Sequence, residues 1–233
     1  MKSVFHKSVI PVLVIGLALS VSVVGADDYP EVTEDGLRKV SDTKLAVVYA
    51  KDGVDLSVYN KVWLADATVA FKKNWQRDQN RSTRSLSNKV SAKDMDRIKT
   101  GLAELFREVF TETLTEAGHE LVSESGDDVL IVRPAILNLD VNAPDTRSGG
   151  RSNTYVQSAG EMTLYIELYD SVTGDLLVKA LDAQADRQSH HLQWHTEASN
   201  RAAAKKMLDS WADTLSANLS AAQSTATGSS EAE

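Results

Sequence analysis

The chain holds 233 residues, carries a formal net charge of −8 at pH 7 and contains no cysteine. A length of this order suits one domain with a sizeable core and terminal extensions. The missing thiols exclude disulfides and a lipid-modified cysteine, and the acidic balance argues against general nucleic-acid binding, which needs clustered Lys and Arg.

A hydrophobic leader opens the chain. Lys2 and Lys7 give it a positive start, and an uncharged apolar run of about 16 residues extends from Val9 to Val24. This run is shorter than the roughly 20 residues that span a bilayer, so it favours a secretory signal peptide over a retained membrane anchor. Small residues predict cleavage after Ala26. We therefore expect a periplasmic mature protein of 207 residues with a net charge of −10.

Short strands are predicted in the first part of the mature chain. Residues 27–44 are polar and acidic and indicate an extended lead-in, whereas residues 45–49 are apolar and β-branched and favour a strand. Residues 59–69 predict another strand. Residues 72–90 lose apolar periodicity, which indicates a long loop or a mobile excursion.

The strongest helix signal follows. Ser91 and Asp94 have the spacing of a capping box, in which each side chain satisfies a free first-turn amide. Apolar residues then recur at spacings of three and four from Ile98 to Ala117 and form one wide stripe. Gly118 is placed to end this helix in a left-handed turn.

Strand signals dominate the next segment. Residues 119–122 predict a short strand, and residues 129–141 predict a long one whose first half is apolar on both faces, as expected of a central strand. Pro134 cannot donate to a strand ladder, so it predicts an edge or a bulge at that point.

A hairpin is predicted after a flexible connection at residues 142–159. Residues 161–170 alternate, with Tyr165 and Tyr169 on a face that we expect to be partly exposed. Residues 171–175 have the composition of a hairpin turn, and residues 176–185 return as the partner strand.

A second long helix is predicted from about residue 196 to 221, followed by a disordered tail at 222–233 because small polar residues bury little apolar area. The predicted domain therefore spans residues 45–221. The order of elements predicts an α+β fold, a two-layer sandwich with a mostly antiparallel sheet and two long helices on one face.

Several short patterns resemble an exported bacterial family known as domain of unknown function 3313. They include Gly53-Val54-Asp55-Leu56-Ser57 before Tyr59, the aromatic pair Phe71 and Trp75, the helix start at Ser91, and Thr173-Gly174 in the hairpin. The resemblance covers about residues 45–220. It implies an exported protein, and many members look like lipoproteins, although this chain has no cysteine at the cleavage site. The family has no assigned activity, so the resemblance implies no site residues.

Charge segregation marks the candidate binding segment. Nine bases and three acids lie between residues 72 and 99, which gives +6 in an acidic chain. A basic loop with an aromatic residue could dock on anionic lipid headgroups or on an acidic envelope protein. The alternative is a solvated loop in which Trp75 packs against the edge of the core. The residues of this possible partner-binding loop are Lys72, Lys73, Trp75, Arg77, Arg81 and Arg84.

Three functions from different classes stay open at this stage. The leading one is an exported, non-enzymatic protein that binds an envelope partner, with a weak homodimer through the Tyr165 face as a further expectation. The second is a carrier of a small apolar ligand between sheet and helices. The third is a metal-dependent hydrolase that uses His190, His191 and His195, because His191 and His195 would share one helix face. No cofactor is predicted, since phosphate-cradling loops, dinucleotide fingerprints and nucleophile elbows are all missing from the sequence.

Overall fold

The computed structural model describes residues 29–81, 89–141, 155–156, 158–187, 193–194 and 197–230. In these residues the chain forms strands and helices in the following order: β1 (Arg38–Val40), β2 (Val47–Ala50), β3 (Lys61–Leu64), β4 (Thr68–Phe71), α1 (Trp75–Arg81), α2 (Ala92–Glu116), β5 (Glu120–Leu121), β6 (Val129–Val141), β7 (Tyr155–Val156), β8 (Ser158–Asp170), β9 (Leu176–Arg187), β10 (Gln193–Trp194) and α3 (Glu197–Ser230).

The main sheet has eight strands in the order β1-β2-β9-β8-β6-β3-β5, with β4 also paired to β6. The pairs β1–β2, β2–β9, β9–β8 and β8–β6 are antiparallel. The pairs that β3 and β4 make with β6, and that β3 makes with β5, are parallel. The predicted α+β class and the mostly antiparallel sheet are confirmed, and β6 is the central strand that its apolar first half indicated.

Helices α2 and α3 pack together over one face of this sheet and enclose the main core. Its buried members include Phe110 on α2, Leu130 on β6, Leu164 on β8 and Leu208 on α3, all at most 2% exposed. Trp211 on α3 is tied to the sheet by its indole Nε1, which donates to Asp182 Oδ2 on β9 at 2.6 Å. Among the described residues, no helix combines the length and the apolar composition that crossing a membrane requires.

The opposite face of the sheet carries a second, smaller core. Leu37, Val47 and Tyr49 are buried there, and Tyr29 packs against them. The Tyr49 hydroxyl donates to the carbonyl oxygen of Pro30 at 2.8 Å. The segment predicted as an extended lead-in therefore contributes a strand, β1, and part of a core, because Leu37 offers apolar area that the prediction overlooked. The structured region begins before residue 45.

Tyr165 and Tyr169 lie on this second face and are partly buried. Both hydroxyls donate to the Glu167 carboxylate, at 2.5 and 2.8 Å. Burial, together with the nearby carboxylate, raises the pKa of both phenols, that of Tyr169 to about 12. The homodimer predicted through this face stays a prediction.

The caps of α2 form as predicted. Ser91 Oγ accepts from the Asp94 amide at 3.2 Å, and Asp94 Oδ2 accepts from the Ser91 amide at 2.9 Å. The Ser91 hydroxyl also donates to Asp94 Oδ2, at 2.6 Å, and this bond, together with the one from the Ser91 amide, lowers the pKa of Asp94 and keeps a negative charge at the positive end of the helix. Gly118 follows the helix with φ of 90°, the left-handed conformation that favours glycine.

Pro134 lies inside the sheet, because β6 is paired on both sides, so the prediction of an edge position for Pro134 is wrong. The Val132 carbonyl accepts from the Ala65 amide at 2.9 Å, and Pro134, two residues on, faces the same side. Residues 65–67 interrupt the neighbouring strand there, which splits the single strand predicted at 59–69 into β3 and β4. Proline has no backbone N–H, and at this point of the sheet no neighbouring strand residue that the structure describes is placed to accept one. The bulge in β6 comes later, between Leu137 and Asp140.

Two helical segments differ from the sequence predictions. Part of the predicted loop at 72–90 forms α1, because Trp75 is buried and the Asn80 side chain exchanges two hydrogen bonds with the backbone of Val90, at 2.7 and 3.0 Å. The predicted disordered tail begins at residue 222, whereas α3 continues to Ser230. Gln223 helps to hold this extension, since its Nε2 donates to the Tyr59 carbonyl at 2.9 Å.

Candidate ligand cavity

A cavity of about 150 Å³ lies where α2 and α3 cross the ends of β6 and β8. Its walls are mainly apolar and include Leu102 from α2, Leu139 from β6, Met162 from β8 and Met207 from α3. An apolar space of this size can hold a benzene-sized molecule. The arrangement therefore suits retention of a small apolar group.

Small residues on both helices leave this space unfilled. Gly101 on α2 lines the cavity together with Ala203 and Ala204 on α3. A Cβ added to Gly101 would meet nothing within 4 Å, and the residue lies inside a regular helix. A glycine in a helix interior costs about 1 kcal/mol relative to alanine. Backbone geometry does not require glycine at position 101, and a side chain larger than alanine there would enter the gap.

Gly160, also in the lining, is a different case. Its φ is 150°, and an added Cβ would come within 2.9 Å of Val141 Cγ1. The close approach of β8 to β6 therefore requires glycine at position 160, whereas position 101 has open space in front of it.

Charged side chains stand around the cavity. Arg97 from α2 pairs with Asp94 at 3.1 Å, and Arg201 from α3 pairs with Glu108 at 2.8 Å. Glu161 from β8 accepts from Lys72 at 3.0 Å. Both arginine side chains are more than half exposed, so they lie at the solvent side of the apolar lining.

Trp75, the aromatic residue of the predicted basic loop, is structural. It is 3% exposed, its ring stacks on Phe71 with centroids 4.2 Å apart, and its Nε1 donates to the Val141 carbonyl at 2.8 Å. This is the alternative in which Trp75 packs at the core edge. Because Val141 also lines the cavity, Trp75 fixes the start of α1 against the same end of the sheet.

The bases of the predicted loop separate into two groups. Lys72 pairs with both Asp140 and Glu161, at 2.8 and 3.0 Å, and these hydrogen bonds raise its pKa. Lys73, Arg77 and Arg81 are exposed around α1, with Arg77 paired to the adjacent Asp78 at 2.9 Å. Arg84 lies outside the described residues. The structure thus buries Trp75 and ties the exposed Lys72 to β6 and β8 by ion pairs, whereas Lys73, Arg77 and Arg81 form no contact with the sheet that the structure describes.

The predicted histidine cluster, His190, His191 and His195, also lies outside the described residues. Within the part of the chain that is described, no three His, Asp or Glu side chains converge as metal ligands would. Sequence reasoning overlooked His119, which is 4% exposed and has no hydrogen-bond partner at Nε2. Burial lowers its pKa, although a hydrogen bond with the backbone of Ser216 on α3 acts in the opposite direction.

The sequence analysis kept a ligand carrier open as an alternative but named no residue of the cavity, although one signal for it is present in the sequence. Gly101 falls three residues after Ile98 and four before Leu105, and so lies on the apolar stripe of the strongest helix. A glycine at such a position lowers helix stability and usually has a packing or functional reason. The partner residues on α3 could not be found in this way, because alanine is an ordinary residue of a helix.

A family model described as protein of unknown function (DUF3313) matches residues 27–215. The chain belongs to this family. The resemblance noted in the sequence is thereby confirmed. No curated protein matches the chain.

Three solved structures show a weak likeness to the chain. A protein from Xanthomonas campestris of family DUF330 has a TM-score of 0.37 at 12% identity, covering 76% of this chain and 93% of that one. The PelC dodecamer from Paraburkholderia phytofirmans has a TM-score of 0.35 at 10% sequence identity, and the match covers 72% of this chain and 96% of that one. A minor lipoprotein from Acinetobacter baumannii has a TM-score of 0.31 at 13% sequence identity, and the match covers 69% of this chain and 95% of that one. Likeness at this level indicates neither a shared function nor a shared assembly.

Proposed function

We propose that this protein is an exported, non-enzymatic binding protein of the cell envelope, and that it holds a small apolar ligand between its helices and its sheet. The charged start and short apolar run before Ala26 support export to the periplasm with removal of the leader. The family match begins at residue 27, directly after the proposed cleavage point, which supports the same division.

The observation that carries the proposal is the cavity itself. The space is a half-open cleft with mainly apolar walls, and concave apolar sites of this kind are where proteins bind small molecules. Here a space of about 150 Å³ is bordered by a glycine that the backbone does not require. A stability gain of about 1 kcal/mol is available by placing alanine at that position. A ligand site explains why the space is left open.

Native mass spectrometry of protein purified from its own host tests this proposal. We expect a small molecule to co-purify with the unaltered chain. Gly101→Leu places a side chain in the cavity from a helical position with free space in front of it, and we expect it to abolish co-purification. Gly101→Ala is the matched control, because it alters the same backbone position while leaving most of the volume. Equal recovery of ligand with Gly101→Leu and with the unaltered chain would place the ligand elsewhere.

A second candidate function rests on the exposed cations around α1. Lys73, Arg77 and Arg81 face solvent in an otherwise acidic protein and could meet an anionic membrane surface or an acidic envelope protein. Replacing these three with Glu should reduce binding to vesicles that contain anionic lipid. Lys72 is left unchanged, because its ion pairs with Asp140 and Glu161 belong to the fold. Undiminished vesicle binding by the triple variant would remove the membrane version of this candidate.

A further inference from the structure

We infer that the protein docks on an anionic membrane through a basic surface formed by α1 and the start of α2, and that the open side of the cavity then faces the bilayer. The basic surface consists of exposed cations that these two helices bring together: Lys73, Arg77, Arg81, Lys89, Lys93 and Arg97. The docking stands independently of any ligand, whereas the supply of a ligand from the bilayer rests on the proposed function.

Helix α1 is fixed both to the start of α2 and to the wall of the cavity. Gln76 Nε2 and Asn80 Nδ2 donate to the Val90 carbonyl, each at 3.0 Å, and the Val90 amide donates to Asn80 Oδ1 at 2.7 Å. Val90 is buried and directly precedes the N-cap of α2. At the other end of α1, Trp75 donates to the carbonyl of Val141, which lines the cavity. The cations of α1 and of the first turns of α2 therefore lie at the cavity end of the molecule.

The basic surface reaches the open side of the cavity. The lining residues that are exposed mark this open side: Arg97, Glu161 and Arg201. Arg97 is itself one of the cations, and Glu161 accepts from Lys72 at 3.0 Å. Lys93, Arg97 and Gly101 are spaced by four residues along α2, so one row of this helix leads from the basic surface to the cavity.

The acids within the basic surface are engaged by neighbouring groups. Asp78 pairs with Arg77 at 2.9 Å, and Asp94 is held at the helix cap by the amide and hydroxyl of Ser91. Among the described residues, no ion pair involves Lys89 or Lys93. These two lysines can therefore meet an anionic surface without giving up a contact within the protein.

Charge and apolar character together favour a membrane over an acidic protein as the partner. The whole chain has a net charge of −8, so this surface has the opposite sign to the rest of the molecule, and anionic lipid headgroups attract such clusters of bases. An acidic protein would satisfy the cations alone. A bilayer also holds small apolar molecules, which leave water for an apolar environment, and it would present them at the open side of the cavity.

Cosedimentation with lipid vesicles tests the docking. We expect the protein to bind vesicles of phosphatidylcholine mixed with phosphatidylglycerol and to bind vesicles of phosphatidylcholine alone far more weakly. Lys89→Glu combined with Lys93→Glu should weaken binding to the mixed vesicles about tenfold or more, because each base near an anionic surface adds to the attraction. Acids are favourable near the start of a helix, so this variant should fold. Lys44→Glu combined with Lys206→Glu is the matched control, since it changes the net charge equally at exposed lysines outside the basic surface.

A single fluorescent label tests the orientation, because the chain contains no cysteine that would compete for it. Thr100 is exposed and lies seven residues after Lys93, on the same face of α2. A label on Thr100→Cys should be quenched by spin-labelled lipids in the mixed vesicles. A label on Val172→Cys should not be quenched, because Val172 is exposed in the turn at the far end of β8.

Several results would overturn the inference. One is equal binding to the two kinds of vesicle, and another is binding that the Lys89 and Lys93 changes leave at the level of the control variant. Binding to soluble polyglutamate without binding to the mixed vesicles would identify an acidic protein as the partner instead. Quenching at position 172 but not at position 100 would turn the cavity away from the bilayer. The co-purification experiment with Gly101→Leu is unaffected by these outcomes, so the proposed function is decided separately.

Discussion

The two ends of the α2–α3 layer differ sharply in how they are filled. At one end Phe106 and Phe110 stack with centroids 3.9 Å apart, and Leu114 and Trp211 are at most 1% exposed. At the other end Gly101 borders a cavity of about 150 Å³. Since the same two helices form both ends, packing at one end can hold the helices in place while the other end stays open for a ligand.

The same side-chain deletion at each end should give the largest effect and the sharpest contrast. Leu114→Ala removes a side chain that is 0% exposed, and we expect it to lower the free energy of unfolding by about 4 kcal/mol. Leu102→Ala enlarges a space that already exists and should cost about 2 kcal/mol. Urea denaturation of the two variants measures both values. Equal costs would show that the two ends are packed alike.

The packed end also has a polar anchor, and removing it should have the next largest effect. Trp211→Phe keeps an aromatic ring but loses the donor to Asp182 and part of the buried indole volume, which we expect to cost about 2–3 kcal/mol. Asp182→Asn tests the same bond from the other side: if its oxygen keeps the contact with the Ala46 amide, now 3.0 Å from Asp182 Oδ1, its NH2 group faces the Trp211 Nε1–H, and we expect a loss of stability there as well. An unchanged denaturation midpoint in Trp211→Phe would mean that ring packing alone holds this end.

At the open end we expect one substitution to stabilise the protein. Gly101→Ala should raise the free energy of unfolding by about 1 kcal/mol, because alanine is the better helix former and meets no neighbour. The same change at Gly118, where φ is 90°, should destabilise the protein instead. Thermal unfolding of the two variants shows whether each substitution raises or lowers the stability of the protein. A loss of stability in Gly101→Ala would show that the helix is less regular there than the structure indicates.

The smallest expected effect concerns pH and His119, which follows the packed end of α2. Burial lowers the folded-state pKa of this imidazole below its unfolded value of about 6.5, so the unfolded chain binds the proton more readily. Stability should therefore fall as pH drops below about 6.5, and the loss should stop once pH is below the folded pKa. His119→Gln removes this part of the pH dependence. Urea midpoints between pH 7 and pH 5 that change equally in both proteins would contradict it.

The sequence predicted those parts of the fold that local signals specify. The capping pair Ser91 and Asp94 and the stop at Gly118 mark both ends of α2, and residues 171–175 mark the hairpin of β8 and β9. The bounds of β6 follow from its apolar run. In each case the residues that determine the element lie within it or next to it.

The parts that sequence reasoning missed depend on contacts between distant residues. The short helix α1 is held by Trp75 on Val141, and β1 by a second core that includes Leu181. The interruption between β3 and β4 lies opposite Pro134, which is distant in sequence. The cavity depends on glycine and alanine from two separate helices. None of these contacts leaves a periodic pattern in the chain.

The parallel pairing of β3 with β6 has a consequence for the order of folding. Lys61 meets Val129 only after α1, α2 and β5 have been brought back onto the sheet, whereas β8 and β9 meet across a single short turn. Closing a long loop costs more entropy than closing a short one, so the hairpin should form early and the parallel strands should join late. During synthesis the N-terminal strands emerge first but must wait for their central partner. During such an interval the unpaired edges of these strands are exposed, which is when a folding chain is most prone to aggregate.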